Sequence, residues 1–196
     1  MERVSKPFTI LTNDPSMTAW GWAVLGYDGK IIETGCIKTV TEGKKRRIRK
    51  SDETSQRICE INNVLLRLIK RYNVNYILTE SPHGSQNASA AVMIGVVAAI
   101  VQTISDCLNI GVEWYSEGDS KKCLLGRLSA TKMETMNAID KLYDVPMTKG
   151  IAKNKKGDVV ALWSGVGYID EAVADALAIH YVATKQSSAL RLLKNK

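Results

Sequence analysis

The 196-residue chain carries 27 Lys and Arg against 20 Asp and Glu, a formal charge of +7, in a composition that is 45% hydrophobic and 24% charged. That length suits one domain with a sizeable core, the composition excludes a disordered or low-complexity chain, and the positive excess favours a polyanionic partner. The N-terminal MERVSKPF lacks the apolar stretch of a secretion signal, and the longest largely apolar run, 88–101, falls short of the roughly 20 residues of a bilayer span, so a cytoplasmic protein with a buried helix there is expected.

Residues 8–13 and 19–27 read as strands, and YDGK at 27–30 supplies an Asp-Gly turn before a third strand, 31–40, which makes an antiparallel meander. TEGKKRRIRK at 41–50 then concentrates Lys44, Lys45, Arg46, Arg47, Arg49 and Lys50 in a loop. A helix capped by Ser51 or Asp52 follows, with Ile58, Ile61, Leu65, Leu68 and Ile69 at helical spacing and an end near Tyr72. NVNYILTE at 73–80 reads as a buried strand that stops at Glu80. The Ala- and Val-rich stretch 86–108 reads as a long helix, and 111–116 as a strand. The order β-β-β-α-β-α-β predicts a mixed sheet with helices packed on it. Helices are expected at 120–125, 130–143 and 170–184. Between the last two lies an irregular Gly- and Lys-rich stretch with Lys149, Lys153, Lys155 and Lys156, where 159–163 reads as one strand of a hairpin.

Cys36, Cys59, Cys107 and Cys123 form no CxxC pair and have only His83 and His180 to join them, so reduced thiols rather than a zinc site are expected. Trp20, Trp22 and Trp114 read as core or near-core. Trp163 is the best placed of the four to stack on a base.

Carboxylates recur at element ends: Asp14 after the first strand, Glu80 after the fourth, and Asp170, Glu171 and Asp175 at the start of the last helix. Strand ends along one sheet edge are neighbours, and Glu171 and Asp175, four apart, share a helix face. Converging carboxylates suit hard divalent ions at a phosphodiester site, and a nearly His-free sequence fits a metal-generated nucleophile. The plainer reading has Asp14 opening a turn before Pro15, Glu80 preceding the SPHGS turn, and Glu171 favouring a helix N-terminus.

DPSMTAWGWAV from Asp14, ETGCIKT at 33–39, YILTESPHGSQNASAA at 76–91, SKKCLLGRLSATK at 120–132 and ADALAIHYVA at 174–183 together resemble the RuvC-type Holliday-junction resolvases of the RNase H-like superfamily. The resemblance implies an α/β fold with a mixed five-stranded sheet, its first three strands antiparallel, and helices on both faces. It also implies one nuclease domain over residues 1–196, with a basic loop at 41–50 and an insertion at 144–169 longer than the bacterial pattern. Asp14, Glu80, Glu171 and Asp175 become ligands of two Mg²⁺ or Mn²⁺ ions. Lys132 joins them in catalysis, and Lys121 and Lys132 meet DNA at the scissile phosphate, with Lys44, Lys45, Arg46 and Arg47 tracking the backbone. A homodimer cutting branched DNA symmetrically, to leave 5′-phosphate and 3′-hydroxyl ends, is the implied activity. A branch-migration helicase as partner is left open. Bacterial members carry an acid or His three residues before the last Asp; here that place is Ala172, and Glu171 is the expected substitute with Asp170 as runner-up. His83 stands where those members place an aromatic, and reads as a turn residue. The rival readings are a nuclease of the same fold acting on RNA or RNA–DNA hybrids and a non-catalytic DNA-binding module. An actin-like ATPase would need a second lobe.

Overall fold

The computed structural model describes residues 8–40, 49–85, 87–143, 149–153, 159–163 and 171–194. Strands β1 (Thr9–Asp14), β2 (Ala19–Gly26) and β3 (Ile31–Lys38) form the predicted meander. Helix α1 (Lys50–Tyr72), strand β4 (Tyr76–Glu80), helix α2 (Ala88–Leu108) and strand β5 (Gly111–Tyr115) follow. The sheet order is β3-β2-β1-β4-β5. β1 runs antiparallel to β2 and parallel to β4, and β5 continues the parallel half. Helices α3 (Glu117–Leu125), α4 (Lys132–Leu142), α5 (Glu171–Gln186) and α6 (Ser188–Lys194) complete the chain, with β6 (Lys149–Lys153) and β7 (Val159–Trp163) paired antiparallel as a separate ribbon. The mixed five-stranded sheet and the hairpin are as expected, whereas α6 was not anticipated.

Period-two alternation sorts the strands between two layers. Leu11, Trp20, Trp22, Val24 and Ile77 face Ile61, Leu65 and Leu68 of α1 and Val97, Ile100 and Val101 of α2. Ala23, Leu25, Ile10 and Leu78 face α4, α5 and α6 through Ile139, Val173, Leu177, Ile179 and Leu190. Each such Leu, Ile or Val removed from water contributes about 1.5–3 kcal/mol, so both layers hold the sheet. Trp20 and Trp22 are core residues as expected, Trp114 is half-buried, and the side chain of Trp163 lies outside the description.

Several expectations are corrected. α1 begins at Lys50 with Arg49 as its cap, which makes no side-chain capping bond; Asp52 pairs with Arg49 instead, at 2.7 Å. Asn73, in the left-handed conformation, ends α1, so β4 starts only at Tyr76. α3 starts at Glu117 rather than 120, because Ser116 and Asp119 close a reciprocal capping box. The run 88–101 is buried only toward its end: α2 packs through Val97, Ile100, Val101 and Ile104, while Ala88, Ala90, Ala91, Val92, Gly95 and Ala99 are exposed. At 21 residues α2 is long and apolar enough to cross a membrane by length and composition, yet its C-terminal half lies in this core.

Candidate active site

Asp14 and Glu80 are brought together by register. β1 and β4 are parallel with Asn13 opposite Thr79, so the next residue of each strand ends it at the same sheet edge. Asp14 shares its face with Ile10 and Thr12, and Glu80 with Leu78, and this is the face covered by α5. The Thr12 hydroxyl donates to the Ala176 carbonyl at 2.6 Å and seats that helix over β1. The strand end is held from behind. Trp20 Nε1 donates to Asn13 Oδ1 at 3.1 Å, and the buried Arg57 of α1 donates to the Met17 carbonyl at 2.6 Å and to Thr39 Oγ1 at 2.7 Å. The turn 15–18 is therefore tied to α1 and β3.

α5 presents Glu171 and Asp175 one turn apart. Its approach requires Gly21, because a Cβ there would overlap the Ala172 carbonyl, and Ala172 itself is buried against β2. An acid at 172 would point into that contact, which is the physical reason the helix offers Glu171 to the site. α4 begins at Lys132 behind a Thr131–Glu134 capping box, and α3 carries Lys121 one turn beyond Glu117.

Asp14, Glu80, Asp175, Glu171, Lys121 and Lys132 line one concavity of about 240 Å³, together with His83, Glu117 and Thr135. Burial, then repulsion from Glu80, Asp175 and Glu171, pushes the Asp14 carboxyl up to about 8. Burial and Asp175 push Glu80 up to about 8, and burial and Glu171 push Asp175 up to about 7. Among the described residues Asp14 and Asp175 have no ion-pair partner, and Glu80 has only His83 at 3.6 Å. Glu171 instead pairs with Lys132, whose pKa it raises, and Glu117 pairs with Lys121, which lowers that of Glu117. Among the described residues no three His, Cys, Asp or Glu side chains close round a single point. Like charges at ligand distance repel, and two of the five acids are drawn off by lysines.

A donor set made up mainly of carboxylates, facing one hollow with three of them short of counter-charge, fits a hard divalent cation and does not fit zinc–thiolate chemistry. None of the four cysteines is in a disulfide, and none lines the hollow. Lys44, Lys45, Arg46, Arg47 and Asp170 lie outside the described residues. Sequence reasoning missed Glu117, although the rule that found Asp14 and Glu80 applies to it: it stands just past the end of β5 at the same edge, four residues before Lys121. His83 lies in the irregular segment 81–85 after β4, where no turn is formed, and lines the hollow 3.0 Å from Glu117.

A family model described as crossover junction endodeoxyribonuclease RuvC matches residues 10–163. The RuvC of Rickettsia felis is 25% identical over 156 residues, covering 78% of this chain and 93% of its own length. That of Parvibaculum lavamentivorans is 25% identical over 134 residues, covering 68% and 73%. Among solved structures, Thermus thermophilus RuvC in complex with a Holliday junction substrate has a TM-score of 0.65 at 16% identity, over 90% of this chain and 93% of that one. The yeast mitochondrial Holliday junction resolvase Ydc2 has a TM-score of 0.54 at 12% identity, over 95% and 83%. At those identities the two structures speak to the fold. The family match spans well over half of the chain and takes in both strand-end acids, and the chain belongs to the crossover junction endodeoxyribonuclease RuvC family.

Proposed function

We propose that this chain is a divalent-metal-dependent endonuclease that resolves Holliday junctions by paired symmetric cuts, leaving 5′-phosphate and 3′-hydroxyl ends. The observation that carries the reading is the shared hollow of Asp14, Glu80 and Asp175, where burial and mutual repulsion raise all three carboxyls far above their ordinary range. Asp14, Glu80, Asp175 and, on releasing Lys132, Glu171 would hold two Mg²⁺ or Mn²⁺ ions, whose chemistry is to generate a hydroxide-like nucleophile at neutral pH and to neutralise charge on the leaving oxygen. Lys121 and Lys132 stand at the rim of the same hollow and set two ammonium groups beside the entering phosphodiester, where they offset charge developing in the transition state. Lys44, Lys45, Arg46 and Arg47 would follow phosphates, which gives affinity that falls steeply with salt and carries little sequence choice.

Two symmetric cuts need two sites, and a second copy of this chain supplies the other. The apolar face of α2, with Ala88, Ala91, Val92, Gly95 and Ala99 exposed and no side chain over Gly95, supports placing the twofold contact there. The test is cleavage of a synthetic four-way junction, a linear duplex and an RNA–DNA hybrid with Mg²⁺ or Mn²⁺. Junction-selective, metal-dependent paired nicking that is lost in Asp14→Asn and Glu80→Gln with binding retained is the expected result. Preference for the hybrid, or cleavage untouched by either substitution, overturns the reading.

A further inference from the structure

Glu117 lines the carboxylate hollow without the isolation of Asp14 or Asp175. Its Oε1 takes the Lys121 ammonium one turn along α3, and its Oε2 lies 3.0 Å from His83 Nε2. The other ring nitrogen, Nδ1, is 3.1 Å from the Ser81 carbonyl and 3.6 Å from Glu80 Oε1. Contacts thus run unbroken from Lys121 through Glu117 and His83 to Glu80. The backbone beneath is also joined, since Ser81 N–H donates to the Tyr115 carbonyl at 2.7 Å. A further carboxylate facing a site for a polyanion weakens binding of that polyanion by simple repulsion. Here that repulsion is offset locally, because both carboxylate oxygens of Glu117 are engaged by Lys121 and His83. A lysine on a four-carbon stem samples many rotamers, and an acid fixed at the helix start, one turn back, selects the one aimed into the hollow.

We propose that Glu117 is a positioning residue for phosphodiester cleavage, holding the Lys121 ammonium and the His83 ring toward the place where the scissile phosphate meets Asp14 and Glu80. The inference rests on the nuclease reading of this hollow. Lys121 meets the phosphate, and Glu117 acts only through it and through His83.

Single-turnover cleavage of a four-way junction, with junction affinity measured separately and thermal melting as a check on folding, tests this. Glu117→Ala is expected to lower the maximal rate about 10- to 100-fold while leaving junction affinity unchanged or tighter. Glu117→Asp, which keeps the carboxylate, is expected to recover part of the rate. In a Lys121→Ala, His83→Ala background, where both groups it holds are gone, Glu117→Ala is expected to cost less than about twofold more, because residues acting as a unit are not additive. An unchanged rate in Glu117→Ala, a loss repeated in full in that background, or a loss of affinity equal to the loss of rate overturns the proposal. Should Glu117→Ala fail to fold, the near-isosteric Glu117→Gln is read by the same criteria. Asp14→Asn run alongside separates the two ideas: if it cleaves normally, the nuclease reading fails, and if it is inactive while Glu117→Ala is unimpaired, only the role of Glu117 fails.

Discussion

One acid in mid-strand and three at the strand-end edge lie on the same side of the sheet, and their surroundings are opposite. Glu113, in the middle of β5, accepts hydrogen bonds from Tyr76 Oη at 3.0 Å, Ser187 Oγ at 2.9 Å and the Tyr115 hydroxyl, and so locks β4, β5 and the α5–α6 junction together. Asp14, Glu80 and Asp175, at the strand-end edge, receive no such donors among the described residues and are left facing one another. Around Glu113 the donors hold their protons more firmly, since burial and the Glu113 hydrogen bond push Tyr76 up to about 12. At the strand-end edge it is the ionisation of the acids that is opposed, with Asp14 and Glu80 pushed up to about 8. A carboxylate that holds a fold is supplied with protons to accept. A carboxylate kept for an ion is supplied with a cavity and other carboxylates.

The contrast breaks most sharply at Asp14. Asp14→Asn is expected to lower junction cleavage by at least about a thousandfold, by the scale of losing a main electrostatic contributor, and to raise the melting temperature of the metal-free protein because a repelling charge is gone. Cleavage assays and melting curves on one preparation check both halves, and a melting temperature that drops would mean Asp14 is structural after all. Gly21→Ala should damage both properties together. A methyl there overlaps the Ala172 carbonyl, so α5 must shift and carry Asp175 with it, at about 1–3 kcal/mol in stability, read by denaturant titration, and with most of the cleavage lost.

Glu113→Ala is the converse of Asp14→Asn. It strands three hydroxyls and should cost about 1–3 kcal/mol, while cleavage per folded molecule stays near that of the unaltered chain. A further effect is expected in pH dependence. The folded pKa values of Asp14, Glu80 and Asp175 lie above their ordinary ones, so both states are protonated at low pH and no penalty exists there. As pH rises from the ordinary Asp value of 3.8 toward about 8, the unfolded chain ionises first and the folded state loses ground. Without metal, the melting temperature of the unaltered chain should therefore fall relative to Asp14→Asn across that window and run parallel above it. Added Mg²⁺ should close the gap, increasingly so at higher pH. A gap independent of pH would show that the three acids are not repelling one another.

Much of this was legible in the chain itself. Alternating and helical apolar spacing located all five strands of the main sheet, because burial on one face imposes period two on a strand and 3.6 on a helix. Asp14 and Glu80 stood out because an acid directly after an apolar strand has no core role there. Local chemistry was harder to read. Arg49 caps α1 without a side-chain bond because a guanidinium has no acceptor to offer the first-turn N–H groups, and it pairs with Asp52 instead. The exposure of the first half of α2 was hidden, because an apolar run does not reveal how far the neighbouring sheet extends beneath it.

The sequence by itself determined the element order as far as α5, the strand-end acids and the positive charge suited to a polyanion, since each depends on local residue pattern or on a sum over residues. Only the tertiary structure decided that Ala172 is spent on contact with Gly21 while Glu171 reaches the hollow. It likewise decided that Glu117 and His83 join the site and that Lys121 and Lys132 each stand against an acid. Those outcomes depend on how close a helix can come to a sheet and on which ends of separate elements share an edge, and no local pattern encodes either distance.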